Sequence, residues 1–169
     1  MDQGSRGDLM GRLAEATESV TTTHPLRVAI DGPPAAGKTT LADELAAVLR
    51  AQGHDIDTDT PLSPPVTTAP ADAVLLFDGV FLLRPELIDR WDLRIFVSVP
   101  FGRTVGRAQI RGTALAGSAA GTTDIERCWR NRYIPSQQLY FATARPTDHA
   151  DIIVYNDELL RPSWEVRSN

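Results

Sequence analysis

The sequence is poor in cysteine and histidine, has no excess of basic charge and holds no long apolar run, and each shortage removes a class of function. A single cysteine, Cys128, can close no internal disulfide and build no cysteine-based zinc site, and it suits a reducing compartment. Next to Trp129 in a helical pattern, it is expected as a small buried residue rather than a nucleophile. His24, His54 and His149 are scattered, so no metal cluster is visible in the sequence. A formal net charge of -5, with pI near 5.1, argues against a broad nucleic-acid or anionic-membrane surface but allows a local basic pocket. No stretch approaches the length of a membrane span. Asp2, Asp8, Glu15 and Glu18 stand where a secretory signal needs basic and apolar residues, so the expected location is the cytoplasm.

What is present is an ordinary globular composition, 42% hydrophobic and 23% charged over 169 residues, enough for one domain with a real core over 1–169. Its organising stretch runs from Leu26 to Arg50. Val28, Ala29 and Ile30 suit a strand buried on both faces, and Leu41, Leu45, Val48 and Leu49 recur at helical spacing. Between them, Gly32-Pro33-Pro34-Ala35-Ala36-Gly37-Lys38-Thr39 fits G-x-x-x-x-G-K-[ST], the phosphate-binding P-loop. Gly32 and Gly37 permit the backbone turns that aim successive N–H groups at phosphate oxygens, at the positive end of the helix starting near Lys38. Lys38 is expected on the β- and γ-phosphates and Thr39 on the Mg²⁺ that bridges them, with Thr40 as neighbour rather than ligand.

Around this stretch the pattern is strand–helix alternation. Residues 1–7 read as frayed, and Asp8 as the cap of an amphipathic helix with Leu9, Leu13, Ala16 and Val20 on one face, so 1–23 form a helical lead-in. Gly53 is a helix stop, and His54 to Thr60 reads as a short edge strand or a loop in which Asp55, Asp57 and Asp59 share a face if extended. Ala73 to Phe77 is a buried parallel strand delivering Asp78 to its C-terminal end, where a carboxylate can face the metal or its water shell. Leu93 to Val99 is another strand, stopped by Pro100, and Ala150 to Tyr155 closes the sheet. Arg103, Arg107 and Arg111 at i, i+4, i+8 line one side of a helix and can clamp phosphates. Ala114 to Thr123, small and low in complexity, suits a mobile lid hinge or a disordered tip, and Asp124 a helix cap. The expected fold is α/β, a P-loop NTPase three-layer sandwich with a mostly parallel sheet flanked by helices.

Four motifs in order give a resemblance: the P-loop run from Val28, Val-Leu-Leu-Phe-Asp-Gly-Val-Phe-Leu-Leu from Val74, Trp-Asp-Leu-Arg-Ile-Phe-Val-Ser-Val-Pro from Trp91, and Ala-Asp-Ile-Ile-Val-Tyr-Asn from Ala150. From Arg27 to about Asn156 the chain resembles the uridine kinase family of P-loop nucleoside kinases, especially its bacterial branch. The resemblance implies transfer of the ATP γ-phosphoryl group to the 5′-hydroxyl of a nucleoside, with ATP and Mg²⁺ as cofactors. It further implies Asp78 on the metal side and Arg107 and Arg111 in a lid within residues 100–123. Two features depart from the family: Arg111 is followed by Gly112 where aspartate is usual, and the segment after Gly53 is several dozen residues shorter. The shortened middle removes the usual acidic base and much of the nucleoside pocket. Asp57 or Asp59 is the candidate replacement base. The expected partners are ATP and a small-molecule acceptor, with no nucleic acid and no membrane, and a homo-oligomer is left open. The alternative reading is a truncated nucleotide-binding P-loop protein with little or no kinase activity. A GTPase is disfavoured because no N-K-x-D motif occurs.

Overall fold

The computed structural model describes residues 1–58, 69–116 and 120–167. Its strands form one sheet in the order β1 (Asp2–Gln3), β7 (Ser163–Val166), β6 (Ile152–Tyr155), β5 (Leu93–Ser98), β2 (Leu26–Asp31), β4 (Val74–Asp78), β3 (Ile56–Thr58). The central strand, β2 (Leu26–Asp31), pairs in parallel with β4 (Val74–Asp78) on one side and β5 (Leu93–Ser98) on the other. Parallel β3 (Ile56–Thr58) and β6 (Ile152–Tyr155) extend it outward. Beyond β6 the sheet turns antiparallel through β7 (Ser163–Val166) and the two-residue β1 (Asp2–Gln3), an edge the sequence reading missed. Helices cover both faces, as expected of an α/β three-layer sandwich.

The larger core lies under α1 (Arg6–Ser19) and α2 (Lys38–Ala51), where Leu9, Leu13, Val28, Ile30, Leu41, Leu45 and Leu49 are fully buried. The smaller core joins Ala29, Leu83, Phe96 and Ile153 beneath Phe141 of α5 (Ile134–Ala144). Phe96 and Phe141 meet edge to face, with centroids 5.6 Å apart.

Several local expectations are corrected. The cap of α1 is Ser5; Asp8 is the third helical residue and returns the bond to the Ser5 amide in a capping box. The start of the chain is paired to β7 rather than frayed. Asp124 lies inside α4 (Ala120–Cys128) and is bonded to Arg127, so it caps nothing. Cys128 is exposed, and its neighbour Trp129 is the buried one. Of the expected hinge at Ala114–Thr123, the described residues continue α3 (Phe101–Ala116) and begin α4. A π-helical turn, Trp129–Tyr133, then leads without a break into α5, with Pro135 in its first turn. The β4 strand is buried on one face only: Val74 and Leu76 are in the core, but Phe77 is 41% exposed.

Candidate active site

A β-strand and a helix on one side, and a neighbouring strand on the other, converge at the C-terminal edge of the sheet. There the chain leaves β2 through Gly32 and enters α2 at Gly37. Gly32 has φ 150° and lies against the Val97 carbonyl, with no room for a Cβ. Gly37 has φ 92°, and a Cβ there would meet the Asn156 side-chain amide at 2.8 Å. Both glycines are therefore required by backbone conformation and close approach together. Ala35 also takes a left-handed conformation, φ 59°, which an L side chain adopts at a cost. No side chain caps α2, so its first-turn N–H groups remain for an anion.

A cleft of about 320 Å³ opens here, lined by Pro34, Ala35, Gly37, Lys38, Thr39 and Thr40 of the loop, by Asp78, Gly79 and Val80 after β4, and by Arg111 of α3. Pro33 and Ala36 form its buried backing. Lys38 is only 8% exposed and donates to the Pro33 carbonyl at 2.9 Å. Burial pushes its ammonium down to about 8 against the pull of Asp31 and Asp78, and Arg111 adds to the fall. The Thr39 hydroxyl donates to Asp78 at 2.6 Å. This pair of hard oxygen donors fits Mg²⁺, which takes a few protein oxygens and fills the rest of its octahedron with water and phosphate. Among the described residues no cluster of three acidic, histidine or cysteine side chains forms an all-protein metal site.

Arg107 is not in this cleft. Its guanidinium donates to the Ala36 carbonyl at 3.3 Å, to Asn156 O at 2.6 Å and to Asp157 O at 3.2 Å. It thus ties α3 to the back of the P-loop, and the three-arginine stripe divides: Arg107 holds the loop, Arg111 lines the cleft and Arg103 lines the neighbouring groove. Beside it runs an open groove of about 800 Å³ between α3 and residues 157–161, with Ile110, Leu159 and Leu160 exposed along it. Asp57 lies on β3 with its backbone opposite Leu75, two strands from the P-loop strand, and its side chain is outside the described residues, as is Asp59.

Three residues carrying this geometry were not singled out from the sequence. Asp31, the last residue of β2, is fully buried, as is the hydrogen-bonding end of Tyr140 on α5, whose hydroxyl donates to it. Asn156, 1% exposed, donates to Ala36 O at 2.8 Å and accepts from Arg6 of α1 at 3.2 Å. A signal existed for Asp31 alone: it ends a strand buried on both faces, just as Asp78 ends its neighbour. Tyr140 and Asn156 lie 109 and 120 residues from their partners, which no local pattern encodes.

No protein-family model matches the sequence, and no match is found among curated proteins. Solved structures do match by shape. A protein described as a possible uridine kinase, from Bacillus stearothermophilus, superimposes with a TM-score of 0.62 at 17% identity, over 87% of this chain and 97% of the other. A second, described with equal reserve as a fructose transport system kinase from Silicibacter sp. TM1040, gives 0.59 at 17% identity, over 83% and 94%. The fold is that of the P-loop kinases. At that identity the P-loop kinase fold is what the likeness carries, and the chemistry has to be argued from the cleft.

Proposed function

We propose that the protein is an ATP- and Mg²⁺-dependent phosphotransferase of the uridine kinase type, moving the γ-phosphoryl group onto a nucleoside 5′-hydroxyl. The observation that carries this reading is the convergence of Lys38, Thr39, Asp78 and Arg111 on one cleft at the uncapped start of α2. In this reading the loop amides of residues 32–39 and the Lys38 ammonium hold the β- and γ-phosphates, and Arg111 on α3 closes over them as the lid within 100–123. Thr39 and Asp78 hold Mg²⁺, which supplies neutralisation of the charge that develops on the phosphates. The groove beside Arg107 takes the nucleotide base, its exposed Ile110, Leu159 and Leu160 offering apolar surface. The chain acts as one domain. A cytoplasmic setting, where ATP is supplied, fits a free and exposed Cys128, and no described helix is long and apolar enough to cross a membrane.

A second reading, nucleotide binding with little transfer, is favoured by one observation. Among the described residues that line the cleft, Asp78 is the sole carboxylate, and Thr39 already bonds it. No second carboxylate among them is there to take the acceptor's proton. Transfer depends mainly on positioning and charge, so the two readings differ in rate rather than in binding.

The test is transfer of labelled γ-phosphate from MgATP to a panel of nucleosides and other small hydroxyl compounds, with the Lys38→Ala protein as blank. Product above the blank establishes the kinase and names its acceptor. No product from protein that binds MgATP establishes the second reading.

A further inference from the structure

We propose that Asp31 and Tyr140 are positioning residues of the phosphate cleft, the Tyr140 hydroxyl clamping a buried carboxylate that fixes both loops bearing the cleft's charged groups. The inference rests on the reading of that cleft as a phosphate site. The carboxylate of Asp31 is fully buried and takes three donors. The amide of Gly32, the first P-loop residue, reaches one oxygen at 2.6 Å. The other oxygen accepts from the Leu83 amide at 3.1 Å and from the Tyr140 hydroxyl, and that hydroxyl also accepts from Leu83 N at 3.0 Å.

These bonds tie together three segments that are remote in sequence. The first is the P-loop itself. Gly32 runs so close to the Val97 carbonyl that a Cβ there would stand 2.4 Å from its oxygen, and its amide is bonded to Asp31. The second is the loop after β4, in which Leu83 follows Asp78 by five residues and Phe81 sits at φ 64°, left-handed for a bulky side chain. Its ring meets Tyr140 edge on, with centroids 5.0 Å apart. The third is α5, which follows the helices carrying the arginines. A single carboxylate is therefore the common anchor for the loop that carries Lys38 and the loop that carries Asp78.

Chemistry supports the assignment over simple packing. An ionised carboxylate is an expensive group to bury, and only full hydrogen bonding offsets the loss of water. An apolar residue before Gly32 would fill the same space without that cost, whereas the carboxylate gives direction to two backbone amides at once. Burial draws the Asp31 carboxyl upward, and the bonds from Tyr140, Leu83 and Gly32, together with the charge of Lys38, oppose that rise. Neither residue lines the cleft, so neither touches a bound phosphate, and both act through the loops they hold.

The test uses the full chain and three variants, Tyr140→Phe, Asp31→Asn and the double substitution, with Lys38→Ala as control. Each protein is measured twice: for the dissociation constant of MgATP, and for urea unfolding without nucleotide. Tyr140→Phe is expected to weaken MgATP on the order of 5- to 10-fold, the loss of one bond to a charged group transmitted to the loops. In the Asp31→Asn background the same change should add less than about twofold, because its route has gone. A structural role alone would lower unfolding stability and leave MgATP affinity at the wild-type value, which overturns the inference. Independent, multiplying effects of the two substitutions overturn it as well. Should Asp31→Asn not fold, Tyr140→Phe decides by its affinity against its stability. Binding lost in Lys38→Ala but intact in Tyr140→Phe refutes the positioning role only. Binding intact in Lys38→Ala refutes the phosphate-site reading itself.

Discussion

The two sides of the sheet's C-terminal edge are built to different standards. On the P-loop side, β2 and α2 are locked into the larger core, with Leu41, Leu45 and Leu49 fully buried, and the loop carbonyls of Pro33 and Ala36 accept from Lys38 and Asn156. On the β4 side the strand presents Phe77, 41% exposed, and the loop beyond it Val80, 38% exposed, beside a parallel edge strand of three residues. Phe77 finds one aromatic neighbour, Trp91, at 5.3 Å. The difference teaches that the P-loop side combines a locally encoded glycine loop and helix terminus with bonds from distant segments such as Asn156 and Arg107, which the β4 side lacks at Phe77 and Val80. An acceptor site needs walls from several distant segments.

Four measurements sharpen or break that contrast. The largest expected effect, a complete loss, is on binding: Lys38→Ala should abolish stabilisation by MgATP, which for wild type at about 1,000 times the dissociation constant amounts to about 4.1 kcal/mol. A thermal shift that survives the substitution would remove the P-loop side from the site altogether.

Next comes packing. Leu45→Ala, at a fully buried position, should cost about 2–5 kcal/mol in urea unfolding. Phe77→Ala should cost well under the ~3–5 kcal/mol of a buried phenylalanine, because so much of the ring already meets water. Equal losses would mean that the β4 side is as well packed as the P-loop side.

Smaller still is the metal effect. Asp78→Asn keeps the shape and removes the charge beside Thr39, so MgATP binding should fall about tenfold while ATP without metal binds as before. Parallel losses with and without Mg²⁺ would place Asp78 outside the metal's shell.

The smallest effect concerns the far end of the sheet, away from the cleft. Burial alone would raise the Asp92 carboxyl, but hydrogen bonds from the Arg27 side chain and amide, and the charges of Arg27 and His24, outweigh it and hold the group below 3.8. A folded value lowered in this way stabilises the protein above the unfolded value, and the contribution disappears as pH falls through the folded one. Asp92→Asn should therefore be less stable than wild type near pH 7, by roughly 1 kcal/mol or less for a partly exposed pair, and the two should converge only as pH falls below the ordinary aspartate value and through the lowered folded one. A difference that persists in acid would assign the loss to packing.

Much of the P-loop side was legible because its signals are local. The glycine spacing, the apolar run before it and the helical repeat after it lie within 25 residues, and they place Lys38 and Thr39 where the structure has them. The strand ending at Asp78 was equally readable, since a continuous apolar run closed by an acid admits few other arrangements. The stripe Arg103, Arg107, Arg111 was legible as a helix face, but its division was not: whether a guanidinium meets a cleft or a carbonyl depends on the loop after β6, which is some fifty residues away. Cys128, expected to be buried, is exposed while its neighbour Trp129 is buried, because a helical pattern alone does not say which of two adjacent residues meets the core.

What the sequence determined by itself is the α/β alternation, the P-loop and the acid on the neighbouring strand, all of them products of periodicity and backbone freedom over short spans. What only the tertiary structure decided is the antiparallel extension through β7 and β1, the diversion of Arg107 to the back of the loop, and the clamp of Tyr140 on Asp31. Those depend on which distant segments the sheet order brings together, and hydrogen bonds between buried groups form wherever such segments meet, without leaving a spacing in the chain.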